Sequence, residues 1–155
     1  MAASNPSSTN LRERMEATVQ SFLSAYEEGG VNDDASIINR DVTPECTRHL
    51  LPASVPHAFG LSKDFFFDTE TYQETYAKDI KVLKFRNFNS ANLVIDTNAR
   101  RASFTSIATV QPSGEDSYLA EAAWFLYFNQ DGSKVEKVVE FCDKDVLLRM
   151  ASKSA

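Results

Sequence analysis

Apolar positions recur along this chain with two different periods. Leu11, Met15, Val19, Phe22 and Tyr26 follow helical spacing, so a first helix is expected there. Asn10 with Glu13 supplies a capping box at its start, and Gly29-Gly30 is expected to end it. Asp33 to Arg40, marked by Ile37 and Ile38, predicts a short second helix. Cys46 to Leu51 reads as a short strand before the loop 52–56. The long connection 56–68 then carries Phe59, Phe65, Phe66 and Phe67. A third helix is expected from Asp68 or Thr69, with Tyr72, Tyr76, Ile80 and Leu83 on its buried face.

From Phe85 onward the period changes to two. Phe88–Asp96 is expected to pair with Arg100–Gln111 across the turn 97–99. Tyr118 to Asp143 then forms a second hairpin around Gln130-Asp131-Gly132-Ser133, because Asp-Gly accepts the backbone geometry of a tight turn. Residues 144–151 predict a terminal helix, and residues 1–9 read as a flexible tail before one domain, 10–151. Helices followed by an antiparallel meander of four long strands make an α+β fold, a curved sheet with helices over one face. Such a sheet can enclose a cone-shaped cavity. Its uncovered face predicts a homodimer built by sheet-to-sheet packing.

Composition narrows the function classes. The chain has 155 residues, 43% of them hydrophobic, including 11 Phe and 5 Tyr, which suffices for one core and an apolar cavity. Net charge is −6 and no basic stripe appears, so a nucleic-acid partner is not expected. No apolar run is long enough to span a membrane and no signal peptide is recognised, which predicts a cytoplasmic protein. Cys46 and Cys142 form no metal-type pair, and the two histidines, His49 and His57, are close together in one segment. No G-x-S-x-G, H-E-x-x-H, P-loop or dinucleotide fingerprint is present. The expectation is chemistry without a metal or cofactor.

Acids within apolar strands are the candidate groups. Asp143 ends the strand face Val139-Phe141-Asp143; Val138, Glu140 and Cys142 share the other face. Asp143 is either a pocket acid with a raised pKa or a rim aspartate capping the terminal helix. Glu121 lies between Ala120 and Ala122, and either faces a ligand or partner or pairs with Arg101. Arg40 and His49 are candidate cationic or proton-shuttling groups, His49 because imidazole titrates near neutrality. Glu70 opens the third helix, where an acid also suits the helix dipole. Tyr72, Tyr76, Tyr118 and Trp124 either line the cavity or fill the core.

Two segments carry a resemblance to a known family. TPECTRHLLPASV, Thr43 to Val55, and FLYFNQDGSKVEKVVEFCD, Phe125 to Asp143, resemble motifs of small fungal SnoaL-like proteins of the NTF2-like fold. Similar fungal proteins are cofactor-independent isomerases and cyclases of polyketides and meroterpenoids, often homodimeric. The resemblance implies Asp143 as a pocket acid, Glu140 as its neighbour and Glu45 at the family's Asp position. The family's His position holds Arg48 here, with His49 one residue later, and a one-residue offset on a strand reverses the face. The scytalone-dehydratase type uses paired histidines on separate strands, and the expected four-strand meander contains none. The implied activity is acid–base isomerisation or cyclisation of a hydrophobic small molecule, with Asp143, Glu121, His49 and Arg40 sharing the roles. The rival reading is a non-catalytic ligand- or protein-binding module on the same fold.

Overall fold

A computed structural model describes residues 6–155, with side chains from residue 9. The first five residues of the expected tail lie outside the described residues. Helix α1 runs Pro6–Val31, so it begins ahead of the expected cap at Asn10. It also runs through Gly29-Gly30 rather than ending there. The reason for glycine at 29 is a close approach. A Cβ there would fall 2.7 and 2.9 Å from ring carbons of Tyr76. A 3-10 turn, Ala35–Asn39, follows, capped by the Asp34 side chain.

Strand β1, Val42–Leu51, is longer than expected and leads through a short helix α2, Ser54–Ala58, to a two-residue strand β2, Phe66–Phe67. Helix α3, Thr69–Ile80, starts where predicted, with Asp68 accepting from the Thr71 amide at 2.8 Å. Strands β3, Leu83–Asp96, β4, Arg101–Pro112, β5, Tyr118–Phe128, and β6, Val135–Cys142, form the expected meander. Helix α4, Lys144–Ser154, closes the chain.

The sheet has six strands, not four, in the order β2-β1-β6-β5-β4-β3. All neighbours are antiparallel except β1 and β6, which run parallel. Register shifts between Arg86 and Asn89 and between Ala91 and Val94 interrupt β3, with Asn87 and Asn92 at positive φ. Bulges of this kind bend a strand and increase its twist, which curves the sheet around α1. The β5–β6 turn places Gly132 at φ 75, and any Cβ there would lie 2.8 Å from Met15 and 2.9 Å from Leu11. Glycine therefore satisfies both the turn and its packing on α1.

The core sits inside the curve. Met15, Val19, Phe22, Leu23 and Tyr26 of α1 pack against Phe104, Trp124, Leu126, Val135 and Val138 of the sheet. The outer face is left bare. One register row crosses all six strands there as Val94, Ser103, Phe125, Val139, His49 and Phe66. Val94 is 62% exposed and Phe125 45%. The fold is α+β with a curved, mostly antiparallel, unclosed sheet, as the sequence indicated. Among the described residues no helix is long and apolar enough to cross a membrane.

Candidate active site in the cone

A cavity of about 360 Å³ opens between the concave face of the sheet, α3 and α4. Tyr26, Tyr72, Tyr76, Phe85, Phe88 and Trp124 are the aromatic residues of its wall on α1, α3 and the sheet. Phe59, Leu61 and Phe67 come from the long connection, and Val146, Leu147 and Met150 from α4. The three consecutive phenylalanines divide: Phe67 meets Tyr72 edge-on at 5.5 Å, whereas Phe66 lies on the outer face beside His49. Small residues Ala108, Ala120 and Ala122 leave the space that aromatic neighbours would fill.

Strand alternation on β6 runs opposite to expectation. Val138, Glu140 and Cys142 point inward, while Val139 and Phe141 point outward, Phe141 being 49% exposed. Both faces of this strand are apolar, so alternation alone does not say which is inside. Asp143 follows on the outward parity at the rim, where it is one of the residues lining the cavity mouth. It is exposed and caps α4, accepting from the amides of Asp145 at 3.0 Å and Val146 at 3.3 Å.

Glu140 is the acid on the inward face of β6, and it lines the cavity. It lies opposite Trp124 on β5 and Leu50 on β1. Part of its surface is reachable from the cavity, yet protein shields the carboxyl from bulk water. Burial raises its pKa, with opposing contributions from the Cys142 thiol and the Arg48 charge. Cys142 Sγ donates to Glu140 Oε2 at 3.1 Å. Burial first, and then Glu140, push the Cys142 thiol far up, so it stays a protonated donor.

Arg48 is the buried cation beside it. The parity of β1 sends Cys46, Arg48 and Leu50 inward, and Arg48 is only 3% exposed. Its guanidinium lies 4.0 Å over the Tyr72 ring and 5.3 Å from that of Phe22. It donates to Ile38 O at 2.9 Å and to the Tyr26 hydroxyl at 3.3 Å. The Tyr26 and Tyr72 hydroxyls are 2.7 Å apart. Among the described residues no carboxylate forms a salt bridge with Arg48.

A second acid, Asp79 of α3, also lines the cavity. Burial raises its pKa to about 6, with the nearby Ser154 hydroxyl of α4 opposing. Glu121 is exposed on β5 at the mouth of the cavity and is among its lining residues, and its expected partner Arg101 instead stacks on Tyr127 at 4.0 Å. The remaining charged candidates lie outside the lining. His49 faces outward, bonded to Thr47 Oγ1 at 2.9 Å, with a pKa lowered first by burial and then by Lys137. Arg40 is on the surface, paired with Glu28 at 2.5 Å and Asp41 at 3.3 Å. Glu45 and Glu70 are exposed.

Three of the four aromatic candidates wall the cavity. Tyr72 lines it with its hydroxyl bonded to that of Tyr26. Tyr76 contributes its ring, since its hydroxyl donates to Tyr26 O of α1 at 2.7 Å. Trp124 donates to Ser106 Oγ at 2.8 Å. Tyr118 lies outside the lining, under the Arg149 guanidinium at 3.9 Å. Sequence reasoning missed Asp79 and gave Arg48 no role. The signals were an acid on the same helical stripe as Tyr72 and Tyr76, and an arginine between two inward apolar positions of a strand. Among the described residues no three His, Cys, Asp or Glu side chains group to hold a metal ion.

No protein-family model matches the chain, and no curated protein matches it significantly. Solved structures do. The BvnE pinacolase from Penicillium brevicompactum superposes with a TM-score of 0.74 at 20% identity, covering 99% of this chain and 95% of that one. PrhC from Penicillium brasilianum gives 0.74 at 17%, covering 92% and 89%. An NTF2-like protein of unknown function from Burkholderia pseudomallei gives 0.60 at 11%, covering 88% and 96%. These likenesses establish an NTF2-like fold.

Proposed function

We propose that the chain is a cofactor-independent isomerase or cyclase of a hydrophobic, enolisable intermediate, of the polyketide or meroterpenoid kind. The observation that carries this is Glu140, a proton-accepting group shielded from water inside an aromatic cavity of about 360 Å³. Burial places its proton affinity nearer neutrality than an exposed carboxylate's, which suits a group that must both take and return a proton. In the ionised form Glu140 removes a proton from carbon α to a carbonyl. The C–H electrons become the enolate C=C, and the carbonyl electrons move to oxygen. The protonated Glu140 then returns the proton to another carbon of the conjugated system, or to the leaving oxygen of a ring that opens. Cys142, donating to Oε2, leaves the other carboxyl oxygen for the substrate. The likeness to a pinacolase fold supports an enzymatic reading. We also read the bare outer face as a homodimer interface.

Solvent exchange tests the reading without the natural substrate. Cyclic 1,3-diketones of graded size are incubated with the protein in heavy water, and deuterium uptake is followed by mass spectrometry. The wild-type protein is expected to accelerate uptake. Glu140→Gln is expected to lose roughly 10²–10⁴-fold of that rate, while Asp143→Asn stays within a few-fold. Exchange undiminished in Glu140→Gln would remove Glu140 from the chemistry. Tight binding with no exchange in the wild-type protein would favour the non-catalytic binding module.

A further inference from the structure

The hydroxyls of Tyr26 and Tyr72, both in the cavity wall, share one hydrogen bond whose direction the surroundings favour. Arginine donates hydrogen bonds and accepts none. Arg48 Nη1 therefore makes the Tyr26 oxygen an acceptor, at 3.3 Å. Between Tyr26 and Tyr72, 2.7 Å apart, one hydroxyl proton is used. Two hydroxyls hold two protons, so one O–H is left over. No other acceptor among the described residues is bonded to either hydroxyl, and both rings line the cavity. Tyr26 is 6% exposed and its oxygen already meets two partners, whereas Tyr72 is the more open of the two. The chain thus runs Arg48, Tyr26, Tyr72, cavity.

Charge points the same way. Arg48 is a buried cation without a carboxylate counter-ion, and its Nε has no hydrogen-bond partner. The groups that bear on the Tyr72 hydroxyl are Arg48, Glu140, Tyr26 and Asp79. Neither acid is bonded to Arg48 as a counter-ion, and burial raises the pKa of both, so each gives up its proton less readily than an exposed carboxyl. The donor is also fixed in place. The guanidinium packs on one side of the Tyr72 ring, and Phe67 meets the ring edge-on. Such preorganised donors are most effective where charge develops on oxygen in a dry site.

We propose that the Tyr72 O–H, polarised through Tyr26 by Arg48, binds the acidic oxygen of an enolate- or phenolate-type substrate. The proposal rests on the isomerase reading for its role in turnover, since the same oxygen would carry the charge while Glu140 holds the proton. Binding of such an oxygen stands independently of turnover. Tyr72 is then a catalytic residue, and Tyr26 and Arg48 are positioning residues that act through it.

The test uses 4-nitrophenol, whose absorbance distinguishes phenol from phenolate, with 4-nitroanisole as the control that cannot ionise. The wild-type protein is expected to bind 4-nitrophenol as the phenolate at a pH where the free phenol is mainly neutral. Tyr72→Phe is expected to weaken that binding by ~10–100-fold, as for a lost hydrogen bond to a charged group. It should also abolish the spectral shift while leaving 4-nitroanisole binding unchanged. Tyr26→Phe keeps the Tyr72 hydroxyl and removes its link to Arg48, so part of the shift remains; it also serves if Tyr72→Phe fails to fold. Glu140→Gln should retain phenolate binding although it loses proton exchange, which separates this proposal from the isomerase reading. Phenolate binding unaffected by Tyr72→Phe, equal affinity for both probes, or no binding of 4-nitrophenol would overturn it.

Discussion

Asp79 shows how one residue couples the cavity to stability. A carboxyl whose folded pKa is raised holds its proton more tightly in the folded chain than in the unfolded one. Its contribution to stability is therefore full at low pH and is lost as pH rises from the ordinary range near 3.8 through about 6. Asp79→Asn is nearly isosteric and removes the charge. We expect it to stabilise the protein by about 1–2 kcal/mol at pH 8, discounting the full shift for partial exposure, and by almost nothing at pH 4. Thermal midpoints of both proteins at the two pH values check this; an equal effect at both would deny the buried charge. Residue-scale legibility was uneven for the same kind of reason. The acids of β6 were visible in the sequence, but Val139-Phe141 is as apolar as Val138-Cys142, so the inward face could not be chosen. Trp124 and Tyr72 were visible as bulky apolar positions. Arg48 was hidden because a buried cation depends on Tyr26, Ile38 and Tyr72, which only the fold assembles.

Elements whose ends are set by local chemistry were legible. Asp131-Gly132 marked the β5–β6 turn, and Asp68 marked the start of α3. The end of α1 was misread because Gly29 serves contact rather than termination. Gly29→Ala gives a sharp test of that distinction. Helix propensity alone favours alanine by about 1 kcal/mol. Against this, the new methyl group meets the Tyr76 ring, whose hydroxyl is held by carbonyls of Ala25 and Tyr26 and so cannot swing away. Overpacking of this type costs about 1–3 kcal/mol, so we expect a net loss of up to about 2 kcal/mol in chemical denaturation. A gain in stability would show that Tyr76 has room to move. The parallel pairing of β1 with β6 was not legible, because it has no connecting turn to leave a signature in the sequence.

For the whole molecule, the bare outer face sets the expected assembly. Phe125, Phe141, Leu119 and Ile107 are 45%, 49%, 60% and 43% exposed on one side of the sheet. Such a patch is unusual on a monomer. Light scattering at micromolar concentration is expected to give a dimer, and Phe125→Glu with Phe141→Glu a monomer with unchanged circular dichroism; a monomeric wild-type protein would reject the interface. The helices-then-sheet order made the overall architecture readable, because each period change is local. The β1–β6 pairing has a consequence of another kind, in time rather than space. Leu50 of β1 sits beside Glu140 of β6, about ninety residues further along the chain, so this contact closes one of the longest loops in the fold. The ribosome must release the chain through β6 before Arg48 and Glu140 can meet. Until then the nascent chain holds a cationic strand without its acidic neighbour, so the cavity is assembled only after its last strand has emerged.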